Sequence, residues 1–347
     1  FSTSNNLGQN DTFGIGNNST VMQIGRDNSA SSDRSMDGYM SEINFVDGQQ
    51  LDPSYFGFTD SQTGIWLPKR YEGTYGNNGF HLEFKDNSST SALGKDTSGN
   101  ENDFTTNNFS VSTGTSNDSV EDTPTNNWAT LNPLHWNILK GAGGTSNGPD
   151  FTRANLRFVS PSSVTSPYNR STGSTIEVSS GKWYYEVTVE TLDNGVQIGF
   201  SERDAIDSNG YWTGYWSYNY FDQRRAIDGT EASYGAKASA GNIIGCAFDL
   251  DQDTMEFFVN NSSQGKVTGL GISGKTVVAS FTLAFWTNKI VVNFGQQGFA
   301  YTPPAGFKAL CAKNLPPNAS SIVRPQRHFD PLLYTGTGSS NIVEGLE

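Results

Sequence analysis

"DLDQDTMEFF", residues Asp249–Phe258, sets three aspartates at alternate positions just ahead of a pair of phenylalanines. A helix-loop-helix calcium site opens in the same way, but it also needs a glycine at the sixth position and a bidentate carboxylate at the twelfth. Counted from Asp249, those places hold Thr254 and Asn260. The flanks read as strands, with Ile244, Cys246, Phe248 and Leu250 on one face before the loop and "TMEFFV" directly after it. The stretch therefore reads as a β-hairpin whose loop carries Asp251, Gln252 and Asp253, residue types that tolerate turn dihedrals. A cation held in that loop is the alternative.

The same period of two runs outward from the hairpin. In "GKWYYEVTVE" (181–190), Trp183, Tyr185, Val187 and Val189 share one face, and Tyr184, Glu186, Thr188 and Glu190 share the other. One face packs and one is expected to be wet. "VQIGFS", "VVASFTLAF" and "KIVVNFG" follow at short intervals with Gly, Asn and Asp between them, and no helix-period segment exceeds about two turns. Composition agrees: aromatics reach 12% and charged residues only 16%, with Asn, Ser and Thr crowding the stretches between apolar runs. The fold class expected is all-β, built as serial β-sandwich (jelly-roll) modules.

A formal net charge of −13 argues against a nucleic-acid partner, because phosphate binding needs clustered Lys and Arg. No apolar run approaches the roughly 18 to 20 residues of a membrane helix, so membrane insertion is not expected. Cys246 and Cys311 are too few for a disulfide framework and have no neighbour at metal spacing, which leaves packing as the source of stability. The chain opens on Phe1 and stops at Glu347 inside a turn-rich phrase, so both ends are expected to be cut from something longer.

Four phrases in order, "GKWYYEVTVE", "VQIGFS", "GNIIGCAFDLDQDTMEFFVNN" and "IVVNFGQQGFAYTPPAGFKAL", resemble a SPRY domain. The likeness runs from about Asn127 to Leu310, with Asn260-Asn261 where that family usually has Asn-Gly. It implies a bent two-sheet sandwich that binds a partner and carries no catalytic residues. "DGYMSEINFVDGQQLDPSYFG" (37–57) is similar to the last strand of a laminin-G-like, concanavalin-type sandwich. Connecting phrases such as "DTSGNENDFTTNNFSV" and "HFDPLLYTGTGSSNIVEGL" resemble segments of structural proteins of tailed bacteriophages, particularly marine ones. The organisation expected is a partial laminin-G-like module over 1–110, a linker over 111–126, the SPRY-like sandwich over 127–312, and a linker with the start of a further module over 313–347.

These resemblances imply a tail fibre or receptor-binding protein of the virion, assembled in the bacterial cytoplasm. Its partners would be copies of itself as a homotrimer, other tail proteins, and a host-surface glycan or protein. A capsid fibre or decoration protein and a polysaccharide depolymerase are the alternatives. No cofactor, metal site or catalytic residue is expected. His81, His135 and His328 lie far apart with no Ser or Cys in a nucleophile setting, although a triad could still assemble in space. Glu186, Glu190 and Glu202 read as solvated rather than as a glycosidase pair, whose spacing is a three-dimensional quantity. The candidate ligand site lies in "GYWTGYWSYNYFD" (210–222), where Tyr211, Trp212, Tyr215 and Trp216 offer flat rings for a sugar or protein partner, with sandwich packing or intersubunit contact as the competing role.

Overall fold

The computed structural model describes residues 22–26, 36, 38–61, 64, 66–122, 126–138, 149–160, 170–193, 195–207, 214–283 and 288–316. They gather into two compact units, one from Phe1–Gln50 and Glu72–Asn107, the other from Leu51–Tyr71 and Asn108–Glu347. The module expected over 1–110 is thus interrupted, because residues 51–71 cluster with the second unit.

Four short strands come first in the chain: β1 (Ile43–Phe45), β2 (Gly57–Thr59), β3 (Trp66–Pro68) and β4 (Phe80–Leu82). In the first unit β1 pairs antiparallel with β4, and Phe45 stacks on Phe80 with centroids 5.4 Å apart. A single helical turn, α1 (Thr90–Leu93), is capped by Ser89, whose hydroxyl accepts the N–H of Ala92. The loop after it is organised by Asp96, which accepts the backbone N–H groups of His81, Ser98 and Asn102. Partial burial opposes ionisation of Asp96, yet these donors hold its pKa below the ordinary carboxylate value. In the second unit β2 and β3 form a separate hairpin, where a side chain on Gly57 would meet the Trp66 ring at 2.0 Å.

The sandwich begins with β5 (Leu131–Ile138), β6 (Asp150–Thr152), β7 (Arg157–Val159), β8 (Arg170–Val178), β9 (Lys182–Thr191) and β10 (Val196–Glu202). After the short helix α2 (Arg203–Asp207) come β11 (Tyr215–Asn219), β12 (Arg224–Ile227), β13 (Thr230–Ser233), β14 (Ile243–Asp249) and β15 (Thr254–Val259). It closes with β16 (Ser262–Thr268), β17 (Val277–Leu283), β18 (Lys289–Asn293) and β19 (Lys308–Ala309). One sheet runs β13-β12-β11-β10-β17-β8-β5 and the other β16-β15-β14-β9-β18-β7-β6, with β19 laid parallel against β9.

The alternation seen in the sequence becomes the core between these sheets. Trp183, Tyr185, Val187 and Val189 point inward from β9, against Ile198, Phe200, Trp216, Tyr218 and Phe281 of the opposing sheet. Phe200 stacks on Phe248 at 4.0 Å, and Tyr185 meets Phe281 edge-on at 5.4 Å. The fold class is the all-β sandwich expected.

Two expectations change at the margins. Residues 111–122, expected as part of a linker, are bonded to the sandwich. Asn117 and Gln297 exchange amide-to-carbonyl hydrogen bonds of 2.9 Å in both directions, and Thr115 meets Thr188 at 2.9 Å. Their polar composition serves the sheet surface as well as it would have served water. At the other end, Ala129 donates to the Leu310 carbonyl and Ala312 to that of Asn127, so the two ends of the sandwich segment run side by side. Of the linker and further module expected over 313–347, residues 317–347 lie outside the described residues.

Between β15 and β16 the two-residue turn Asn260-Asn261 has both residues at positive φ, 47° and 66°, the requirement of a type I′ hairpin. Asn tolerates that backbone and Gly tolerates it better. Asn261→Gly is therefore expected to stabilise the protein by about 0.5 kcal/mol, read as a raised urea midpoint at unchanged m-value.

Candidate functional site

The aromatic segment separates into two parts. Tyr211 and Trp212 lie outside the described residues. Tyr215 and Trp216 do not line a ligand-facing loop: they are 4% and 0% exposed, on β11. Trp216 points between the sheets and donates from Nε1 to the Leu270 carbonyl at 2.8 Å, while Tyr215 packs with Ala205 and Ile206 of α2 on the other side of its sheet. Aromatic density marked them as a surface feature, but strand alternation distributes them to two buried faces.

The aspartates of the β14–β15 hairpin each hold backbone. Asp249 accepts from Asp251 and Gln252 and pairs with Lys182 at 3.0 Å. Asp251 accepts from Gly181, and Asp253, at φ 55°, accepts from Gly271 and Ile272. The carboxylates are turned to different neighbours rather than converged on one point. Among the described residues no group of three or more His, Cys, Asp or Glu could hold a metal ion.

The first unit brings together three residues that sequence spacing kept apart. His81 Nε2 lies 2.8 Å from Glu42 Oε2, and Nδ1 lies 2.7 Å from Thr97 Oγ1. A hydroxyl, an imidazole and a carboxylate in that row match the reach of an activated nucleophile. Here the row works as a brace. His81 is 3% exposed, its ring stacks on Tyr75, and the Tyr75 hydroxyl donates to Asn44, whose amide donates to the Glu42 carbonyl. The closed circuit holds Glu42 at φ 53°, a left-handed backbone that surrounding contacts must support. His135 lies on β5, half-buried, and His328 is outside the described residues.

Among the described residues, a feature open to a ligand lies on the outer face of the second sheet. There the middle of β14 contributes only Gly245 and Ala247, while Ile244, Cys246 and Phe248 point inward. Gly245 stands between Glu186 of β9 and Phe258 of β15, and Ala247 between Tyr184 and Glu256. A Cβ on Gly245 would sit 2.5 Å from the Tyr184 hydroxyl. Tyr184 takes the space that a side chain at Gly245 would need, and with Glu256, Phe258, Asn261, Thr302 and Pro304 it lines a depression of about 340 Å³.

The far wall belongs to residues 299–304, which cross the sheet as a strap. Glu186 accepts the N–H of Ala300 at 2.8 Å and of Tyr301 at 2.9 Å, and the Tyr184 hydroxyl donates to it at 3.2 Å. Phe299 adds an edge contact to Tyr184 at 4.9 Å. The face of β9 read as wet is covered here, and Glu186, read as solvated, is 1% exposed. Burial pushes its pKa up, and the donors only partly oppose that. The other two acids face bases: Glu190 sits 2.6 Å from Arg157, and Glu202 pairs with Lys275.

The SPRY domain family model matches residues 182–297, from β9 to the foot of the strap. This segment is a SPRY domain. The chain is similar to ATP-dependent RNA helicase DDX1 of Xenopus laevis, 30% identical over 145 residues that make up 40% of this chain and 18% of the helicase. It is also similar to E3 ubiquitin-protein ligase RKP of Arabidopsis thaliana, 31% identical over 159 residues, 44% of this chain and 12% of the ligase. The chain thus spans less than a fifth of the length of either relative. Among solved structures, the SPRY domain of human HERC1 is similar at 13% identity and a TM-score of 0.36, over 47% of this chain and 96% of that one. Within the SPRY domain of this chain, the depression draws on β9 and β15 and the turn after β15, and the strap that walls it runs past the matched segment.

Sequence reasoning missed the depression. No local pattern signals it, because Tyr184, Phe258 and Thr302 come from distant parts of the chain.

Proposed function

We propose that this chain is a non-catalytic recognition protein of a tailed-phage virion, in a tail fibre or receptor-binding position, which grips a host-surface glycan or protein through its SPRY sandwich. The observation that carries the reading is the depression between β15, the turn after it and the strap, open to solvent and walled by side chains fixed on strands and on a pinned strap. Binding sites built on rigid elements lose little entropy on engagement. Glu186, Glu190 and Glu202 are tied to backbone N–H groups or to basic side chains, and the depression itself holds one carboxylate, Glu256, rather than a pair, which supports gripping over bond cleavage.

The virion placement rests on the phage-like connecting phrases, and the laminin-G-like resemblance of residues 37–57 belongs to the same reading. Copies acting together, as a homotrimer beside other tail proteins, would turn weak single contacts into firm attachment. A capsid fibre or decoration protein would differ in where it docks.

The test is adsorption of the purified, labelled chain to a panel of cultured marine bacteria and to their isolated lipopolysaccharide and capsule. Saturable binding to at least one strain, with no released oligosaccharide, is expected. Absence of binding across the panel would overturn the recognition reading, and released oligosaccharide would replace it with depolymerase activity.

A further inference from the structure

We infer that the depression on the outer face of the second sheet is a binding site for a neutral pyranose sugar; this rests on the recognition reading and names its ligand class. A sugar ring has one apolar C–H face and a rim of hydroxyls, each able to donate and accept. The depression presents a matching division. Phe258 and Pro304 supply apolar surface above a floor formed by Tyr184, Glu256 offers carboxylate oxygens, Asn261 both amide functions and Thr302 a hydroxyl.

Tyr184 is buried beneath the strap with its hydroxyl donated to Glu186, so it forms the floor of the depression rather than a stacking face. Glu256 accepts from Ser263 through one oxygen at 2.5 Å, which fixes the carboxylate and leaves the other oxygen for a ligand hydroxyl. Asn261 is held at the second position of its turn by a backbone that few residues adopt, and so it projects its amide from a fixed point. A volume of about 340 Å³ holds one or two sugar rings, at the lower end of small-molecule sites.

Charge selects among sugars. The chain carries a formal net charge of −13, and a carboxylate stands in the wall of the depression, so uronate and sialic-acid rings are repelled where neutral hexoses are not. A basic side chain of a protein partner is the competing occupant. A single carboxylate already bonded to Ser263, beside an amide and a hydroxyl, fits a ring of hydroxyls better than a desolvated cation.

NMR titration of the whole chain tests this with maltotriose, cellotriose and lactose as neutral probes, trigalacturonate as the acidic probe and hepta-arginine as the cationic one. At least one neutral probe is expected to shift the signals of Phe258, Asn261 and Thr302 saturably, with trigalacturonate inert. Phe258→Ala is expected to weaken that binding about tenfold and Asn261→Gly, which keeps the turn, about fivefold. No shift with any neutral probe, shifts with hepta-arginine alone, or undiminished binding by folded Asn261→Gly would each overturn the site. If the wild-type chain adsorbs to cells while sugars leave these signals unmoved, the sugar site fails and recognition stands; if it binds neither, both fail.

Discussion

Trp216→Ala is expected to lower the stability of the sandwich by about 4 kcal/mol, with surface binding lost only because the domain unfolds. The indole is fully enclosed on β11, so its removal leaves a cavity between two sheets whose remaining side chains are held by their strands. The Leu270 carbonyl also loses the Nε1 donor that now reaches it at 2.8 Å, and a buried acceptor without a partner adds about 1 kcal/mol or more. For a domain of this size the midpoint of thermal unfolding should fall by roughly 10 °C. Trp216→Phe keeps most of the volume and should lose about half as much. A variant that keeps the wild-type midpoint in denaturant but no longer adsorbs to cells would make Trp216 a ligand residue and contradict the core placement.

The same residue shows where sequence reading reaches and where it stops. The alternation of Tyr218 and Tyr220 points to a strand, and β11 extends that strand back to Tyr215 and Trp216, which the sequence reading offers to a ligand. Alternation assigns two faces, but it cannot say what lies over the outer one. In the first sheet α2 covers Tyr215, and in the second the strap covers Tyr184 and Glu186. Glu186 and Ala300 are more than a hundred positions apart, and no local pattern announces that pairing. The β14–β15 hairpin was readable for the opposite reason: Asp249 accepts from Asp251 and Gln252 within its own loop, and the mismatch at Thr254 and Asn260 was visible in the chain itself. The brace of Glu42, His81 and Thr97 was beyond reach, since Glu42 and His81 meet only through the pairing of β1 with β4.

Glu186 provides the second large effect, and it has a sign in pH. Glu186→Ala removes the acceptor of two strap N–H groups and of the Tyr184 hydroxyl, for an expected loss of about 3 kcal/mol. The strap is then released and with it the wall formed by Thr302 and Pro304. Burial raises the folded pKa of this carboxyl above its ordinary value of 4.5, although the donors pull the other way. The folded state therefore binds the proton more readily than the unfolded state. The stability so contributed is fully present below pH 4.5 and is lost as pH rises through the raised folded value. Urea midpoints of wild type and Glu186→Gln, followed from below that pH to neutrality, isolate this group, because the other carboxylates titrate alike in both proteins. The wild-type curve should descend relative to the Gln variant across the window and then run parallel to it. A flat difference would mean that the two N–H donors fully offset the desolvation of the charge, and the strap would then owe its position to Phe299 against Tyr184 rather than to a carboxyl that titrates beneath it.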